Sequence, residues 1–185
     1  AADGQISDVV LTGTTINLGG NITTDDDADA GDVDINGNVI LTAAVTIDTS
    51  DAAAGVVDGT FNISGTVDGA FDLDIITDSA IAGIVGVIGG TTALATLDIN
   101  KTAGATGAVT ISNNIGTTTA AGVTGATLIG NANTSTLTLA GTVYNANAAT
   151  YTAVAGNNIS LTAGADVTFT SSADAITFGT ANILL

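Results

Sequence analysis

The chain has no cysteine, proline, histidine, arginine, glutamate, methionine or tryptophan, and one lysine, Lys101. Each absence removes a class of chemistry. Without cysteine there is no disulfide framework, no thiolate metal site and no thiol nucleophile. Without histidine or cysteine, nucleophilic catalysis by a Ser-His or Cys-His arrangement has no base. One lysine against 18 Asp, a net charge of -17, excludes ordinary phosphate-backbone binding to nucleic acid and disfavours anionic membrane surfaces. The longest apolar stretch, Ala80 to Ile88, falls far short of the ~20 residues a membrane-spanning helix needs. The start shows no signal-peptide pattern, and Ala1-Ala2-Asp3 reads as an end left by cleavage after a small residue.

Aromatic residues are scarce too: four Phe and two Tyr. The apolar residues that are present are mostly Ala, Val and Ile, so the expected core is built from small and β-branched side chains that favour strands. With no proline and 24 Gly, turns fall to Gly, Asn and Asp, which accept φ > 0. The acids are unevenly placed. Sixteen lie between Asp3 and Asp98, and only Asp166 and Asp174 follow, so an acidic half (1–98) precedes a nearly uncharged half (99–185).

Period-two apolar pairs recur along the whole chain. They include Val9/Leu11, Ile16/Leu18, Val33/Ile35, Val39/Leu41, Val45/Ile47, Phe61/Ile63 and Phe71/Leu73/Ile75. Leu97/Ile99, Val109/Ile111, Leu137/Leu139, Ile159/Leu161, Val167/Phe169, Ile176/Phe178 and Ile183/Leu185 continue the series. No stripe at helical spacing is long enough for a helix, and Ile81 to Ile88 is expected as a buried strand. Many pairs begin about six to eight residues apart, with Gly-Gly, Asn-Gly, Asp-Gly or Thr-rich turns between them. The expectation is a single all-β domain over residues 1–185, a parallel β-helix (β-solenoid) of short strands. A β-sandwich with donor-strand exchange is the alternative. Degenerate internal echoes favour the solenoid: Gly37 to Ser50 resembles Asn157 to Ser172, and Gly65 to Ala70 resembles Gly141 to Ala146.

The stretch Gly31 to Ile75, reading GDVDINGNVILTAAVTIDTS and then GTFNISGTVDGAFDLDI, resembles the repeat regions of large secreted bacterial adhesins. Gly89 to Ile99 and the C-terminal NNISLTAGADVTF share the likeness, which covers roughly residues 31–178 through composition and phrase rather than a diagnostic motif. These are the filamentous-haemagglutinin-like and autotransporter-like proteins. The resemblance implies a right-handed parallel β-helix at a cell surface, and a chain of this length as a fragment or a self-assembling unit.

The sharpest local feature is Asp25-Asp26-Asp27-Ala28-Asp29 followed by Asp32, Asp34 and Asn36-Gly37. Asp32-x-Asp34-x-Asn36-Gly37 matches the opening of a calcium loop, but Ala43 stands where the twelfth position requires a bidentate Glu. Two readings follow: a solvated strand face alternating with Val33 and Ile35, or weak calcium binding by some of Asp25, Asp27, Asp29, Asp32 and Asp34. Paired carboxylates such as Asp72 with Asp74 exist, yet the aromatic platforms and cationic partners of a sugar site are nearly absent. The Thr runs at 117–119 and 134–138 show no strict Thr-x-Thr register of an ice-binding array. Five glycosylation sequons, at Asn21, Asn62, Asn100, Asn133 and Asn158, suit a chain this rich in Asn and Thr.

The expected function is therefore non-enzymatic. Neither terminus reads as a polar cap. The N-terminal segment offers Ile6, Val9, Val10 and Leu11, and the C-terminal strand ends in Ile183, Leu184 and Leu185. End-to-end β-augmentation between copies would make an extracellular or cell-surface filament or matrix fibre. The competing class is an adhesin fragment binding a surface, matrix or host ligand.

Overall fold

The structure, a computed structural model, describes residues 8–24, 30–51, 57–102, 104–172, 174–179 and 181–185. Its strands follow one another as coils of a solenoid. The first coil holds β1 (Val9–Leu18) and β2 (Ile22–Thr23), and the second β3 (Val33–Leu41) and β4 (Val45–Asp48). The third holds β5 (Phe61–Ile63), β6 (Val67–Asp68) and β7 (Leu73–Ile76), and the fourth β8 (Ala82–Ile84) and β9 (Leu97–Ile99). The fifth holds β10 (Val109–Ile111) and β11 (Thr127–Ile129), and the sixth β12 (Leu137–Leu139), β13 (Val143–Asn145) and β14 (Ala149–Tyr151). The seventh holds β15 (Asn158–Leu161), β16 (Thr168–Thr170) and β17 (Thr177–Phe178), after which β18 (Asn182–Leu184) opens another turn.

Every pairing is parallel, so the fold is the β-solenoid and not the sandwich. One face stacks β1-β3-β5-β8-β10-β12-β15-β18, and another β2-β4-β7-β9-β11-β14-β17. A narrower face between them is carried by the second half of β3, by β6, by isolated bridges at Ile88 and Ile115, and by β13 and β16. The rungs pass from the acidic half into the uncharged half without a break.

Three-residue strands suffice because each inward side chain rests on its counterpart one coil away. In β5, β8, β9, β10, β11, β12 and β14 the outer two residues are buried and the middle one faces outward. This yields ladders such as Leu11–Ile35–Ile63–Ile84–Ile111–Leu139–Leu161 and Ile22–Ile47–Ile75–Ile99–Ile129–Tyr151. Stiff, branched side chains stack in such columns with little rotamer freedom left to lose. Where Tyr144 and Tyr151 enter the core, Ala146, Ala149 and Ala153 make room for them.

A glycine column marks the corner between the first and second faces. A Cβ on Gly65 would lie 2.3 Å from the Gly37 carbonyl oxygen, and one on Gly86 would lie 2.1 Å from that of Gly65. Coils pack there at backbone contact, which only glycine permits. At another corner, buried threonines occupy the matching place: Thr24, Thr49 and Thr77 donate their hydroxyls to the carbonyls of Gly31, Gly59 and Ala80. Asn131 then takes over, its amide reaching the carbonyls of Asn100, Thr102 and Ala105 at 2.6, 2.8 and 2.9 Å.

The structure corrects several readings of the pattern. Phe71 does not extend β7 inward but is 40% exposed. Ile81 to Ile88 is no single strand: β8 ends at Ile84, the chain turns at Gly86, and Ile88 forms a one-residue rung on the next face. Ile81 and Val85 point outward while Ala82, Ile84 and Ile88 are buried. The echo of Gly37–Ser50 in Asn157–Ser172 equates β3's second half with β15, which lie on different faces. The echo of Gly65 in Gly141 is nearer the mark, since both close the same corner, but an extra residue precedes the inward Tyr144.

Candidate assembly edges and the acidic side

Among the described residues β1 pairs only with β3, and β18 only with β15, so each outermost strand carries one unpaired edge. Val9 and Leu11 are half-buried at one end. Ile183, Leu184 and Leu185 are 49%, 52% and 92% exposed at the other. Ile6 lies outside the described residues. The two groups are thus set at opposite ends, about seven coils of ~4.8 Å apart. Val10, between Val9 and Leu11, faces outward and is 61% exposed.

Asp25, Asp27 and Asp29 lie outside the described residues. Asp32 and Asp34 flank the buried Val33 at the start of β3, in extended chain rather than in a closed loop. Asp32 belongs to a coil-to-coil relay: its N–H donates to Asp8 Oδ1 at 3.0 Å, and its own Oδ1 accepts the Thr60 N–H at 2.7 Å. Asn38, Asn21 and Asp68 do the same for Thr66, Thr46 and the Thr91–Thr92 pair. Short acceptor side chains at the turns thus satisfy backbone donors that the sheets leave over.

A second acidic group was not legible in the sequence, because its members come from different coils. Asp58 is 8% exposed, yet its carboxylate is fully engaged by the Asp51 N–H, the Ser79 N–H and the Ser79 hydroxyl. Asp78 stands beside it with φ at 44°, a left-handed turn position that Asp tolerates. Its carboxyl is pushed above the ordinary value of 3.8, first by burial and then by the charges of Asp58 and Asp48. Among the described residues no three acidic side chains converge as a metal cage.

Lys101 sits on the third group. Asp74 and Asp98 are direct neighbours in the parallel ladder, like charges one coil apart. The ammonium hydrogen-bonds Asp98 and lies 3.3 Å from Asp74 Oδ2. The hydrogen bond to Asp98 chiefly, with Asp74 adding to it, holds Lys101 above the usual lysine range. Asp72 is nearby but exposed, and it accepts the Thr96 hydroxyl at 2.7 Å. The arrangement neutralises a charge clash.

Of the sequons, Asn100 is buried with its side chain bonded to Thr77, so it has no room for a glycan. No described helix is long and apolar enough to cross a membrane. The fold defines the class of protein: a parallel β-solenoid of about seven coils. No protein-family model, no curated protein and no solved structure matches the chain.

Proposed function

We propose that this chain is a non-enzymatic structural unit of an extracellular or cell-surface fibre that lengthens end to end through copies of itself. The observation that supports this reading is the run of rungs that, among the described residues, reaches an unpaired strand edge on both sides. Val9 and Leu11 are half-covered at β1, and Ile183, Leu184 and Leu185 are exposed at β18. An uncovered parallel edge is a template for another strand, and a heterologous contact that does not close makes a filament. Charge is compatible with growth along the axis, since acids such as Asp34, Asp74 and Asp98 occupy outward positions on their strands. Calcium is proposed as a lateral screen for these acids, with Asp25, Asp27, Asp29, Asp32 and Asp34 as its ligands.

Negative-stain electron microscopy of the purified chain across concentration, with and without millimolar calcium, tests both parts. Fibres that appear above a threshold concentration support assembly, and calcium-dependent thickening supports the screen. Discrete particles under every condition overturn assembly and leave a ligand-binding adhesin fragment as the better reading.

A further inference from the structure

We propose that a second copy of this chain seats its β1 on the β18 edge, parallel and in register, pairing Ile183 with Val9, Leu184 with Val10 and Leu185 with Leu11. This rests on the fibre reading and adds what that reading leaves open: which ends meet, and in which alignment.

The register follows from the ladders. Val9 pairs with Val33 at one end of the first face, and Ile159 with Ile183 at the other, all on the same inward column. Adding β1 above β18 continues that column without a shift. The outward column between these positions carries an independent mark. In the six inner coils it holds Asp34, Asn62, Gly83, Thr110, Thr138 and Ser160, each polar or glycine. Only the outermost strands place apolar side chains there, Val10 at 61% and Leu184 at 52% exposure. Two exposed apolar residues at the same column position, one on each open edge, become cross-strand neighbours in the proposed alignment and shield each other. A slip of one residue would turn every side chain to the opposite face.

The turn relay extends across the junction as well. Asn182 precedes Ile183 as Asp8 precedes Val9, and Asp8 already accepts the N–H of the residue one coil above it. Asn182 offers its amide oxygen to the Asp8 N–H of the incoming copy in the same way. Charge selects head-to-tail over head-to-head contact. Sixteen of the 18 acids precede residue 99, so two N-terminal ends repel, whereas the last coil carries only Asp166 and Asp174.

The chain has no cysteine, which makes cross-linking clean. Val10→Cys and Leu184→Cys are made separately in the full chain; both sites are exposed, and circular dichroism checks that the fold is kept. Assembled mixtures are oxidised and run on non-reducing gels. The expected result is a covalent dimer from the mixture, none from either variant alone, and a multimer series from the V10C/L184C double variant. Thr12→Cys with Leu184→Cys is the out-of-register control and stays monomeric, being two residues away, ~6.6 Å along the strand. V10T/L184T raises the threshold concentration for fibres about tenfold, the effect of losing ~1.4 kcal/mol. Fibres that cross-link through Val10→Cys alone, or equally well through Thr12→Cys, overturn this junction while the fibre reading stands. Discrete particles without cross-links overturn both.

Discussion

Tyr144 and Phe169 occupy the same rung in consecutive coils and stack with ring centroids 5.0 Å apart and planes 16° from parallel. Tyr151 and Phe178 repeat the arrangement on the third face at 5.5 Å and 25°. Edge-on contacts join the two stacks, Tyr151 meeting Phe169 at 5.6 Å. Four of the chain's six aromatic rings therefore close the core of the last two coils, where the aliphatic ladders give out. The two tyrosines differ in one respect that can be measured. Tyr144 Oη accepts the Gly141 N–H at 2.8 Å, whereas Tyr151 Oη is buried with no hydrogen-bond partner among the described residues. Burial raises both phenols, Tyr144 to about 12 and Tyr151 beyond the usual range.

Opposite responses to the same substitution follow. Y151F removes a buried hydroxyl that has no partner among the described residues and is expected to stabilise the fold by about 1 kcal/mol. Y144F orphans the Gly141 N–H and is expected to destabilise it by about 1 kcal/mol. Urea unfolding of both variants beside the parent decides the matter: equal shifts of either sign would refute the assignment. Thr127→Val belongs with Tyr151→Phe, since the buried Thr127 Oγ1 is likewise unbonded between Leu97 and Ala149.

Asn131→Ala is expected to cost about 2–4 kcal/mol, because the Asn100 and Ala105 carbonyls lose their donor and the Thr102 carbonyl keeps only the Ala105 N–H. Asn131→Asp should cost more, since a carboxylate turns only acceptors toward carbonyl oxygens. Thermal melts of the two variants rank them.

Gly65→Ala places a methyl against the Gly37 backbone and is expected to lower stability by about 1–3 kcal/mol, the range for overpacking. Alanine at Gly20, where nothing lies within 4 Å of the added carbon, is the control and should leave the melting temperature nearly unchanged.

Lys101→Gln leaves Asp74 and Asp98 stacked without a counter-charge. The expected loss is about 0.5–1 kcal/mol at low ionic strength, shrinking toward zero in 1 M salt. Because the folded-state lysine is held above 10.5, its contribution is complete below that value and is lost as pH rises through the folded-state value. Denaturant midpoints of parent and variant should therefore converge in strong alkali.

Asp78 runs in the same sense, at acid pH. A carboxyl raised in the folded state binds its proton more tightly there, so stability falls as pH climbs from 3.8 through the raised value. Asp78→Asn keeps the left-handed turn, and the Asp78 carbonyl still accepts the N–H groups of Thr106 and Gly107. The variant is expected to gain stability at pH 7 and none below pH 3.8, as read from melting temperatures in low salt.

Much of this fold was legible because short strands announce themselves locally. Val33/Ile35, Phe61/Ile63, Val109/Ile111 and Leu137/Leu139 are inward pairs in both the pattern and the structure. The narrow second face was not legible, since Ile88 and Ile115 each contribute a single rung with no alternating partner. Phe71 was misplaced for the converse reason: its spacing to Leu73 fits a strand, but the chain is still turning at that point. At the candidate edges, Ile183 to Leu185 stood out as an apolar run without charge. Val10 gained its meaning only once it shared an outward column with Leu184.

The sequence by itself determined that most strands are short, that turns fall to Gly, Asn and Asp, that the core is mostly aliphatic, and that catalysis by histidine or cysteine is excluded. Those are properties of composition and nearest neighbours. Only the tertiary structure decided which residue rests on which. The step between coils varies, from 21 residues between Phe61 and Ala82 to 30 between Leu97 and Thr127. With no constant period to count along, alignment is set by the best simultaneous stacking of inward side chains and by the corner glycines, threonines and Asn131. Those contacts join residues of different coils, and no local pattern contains them.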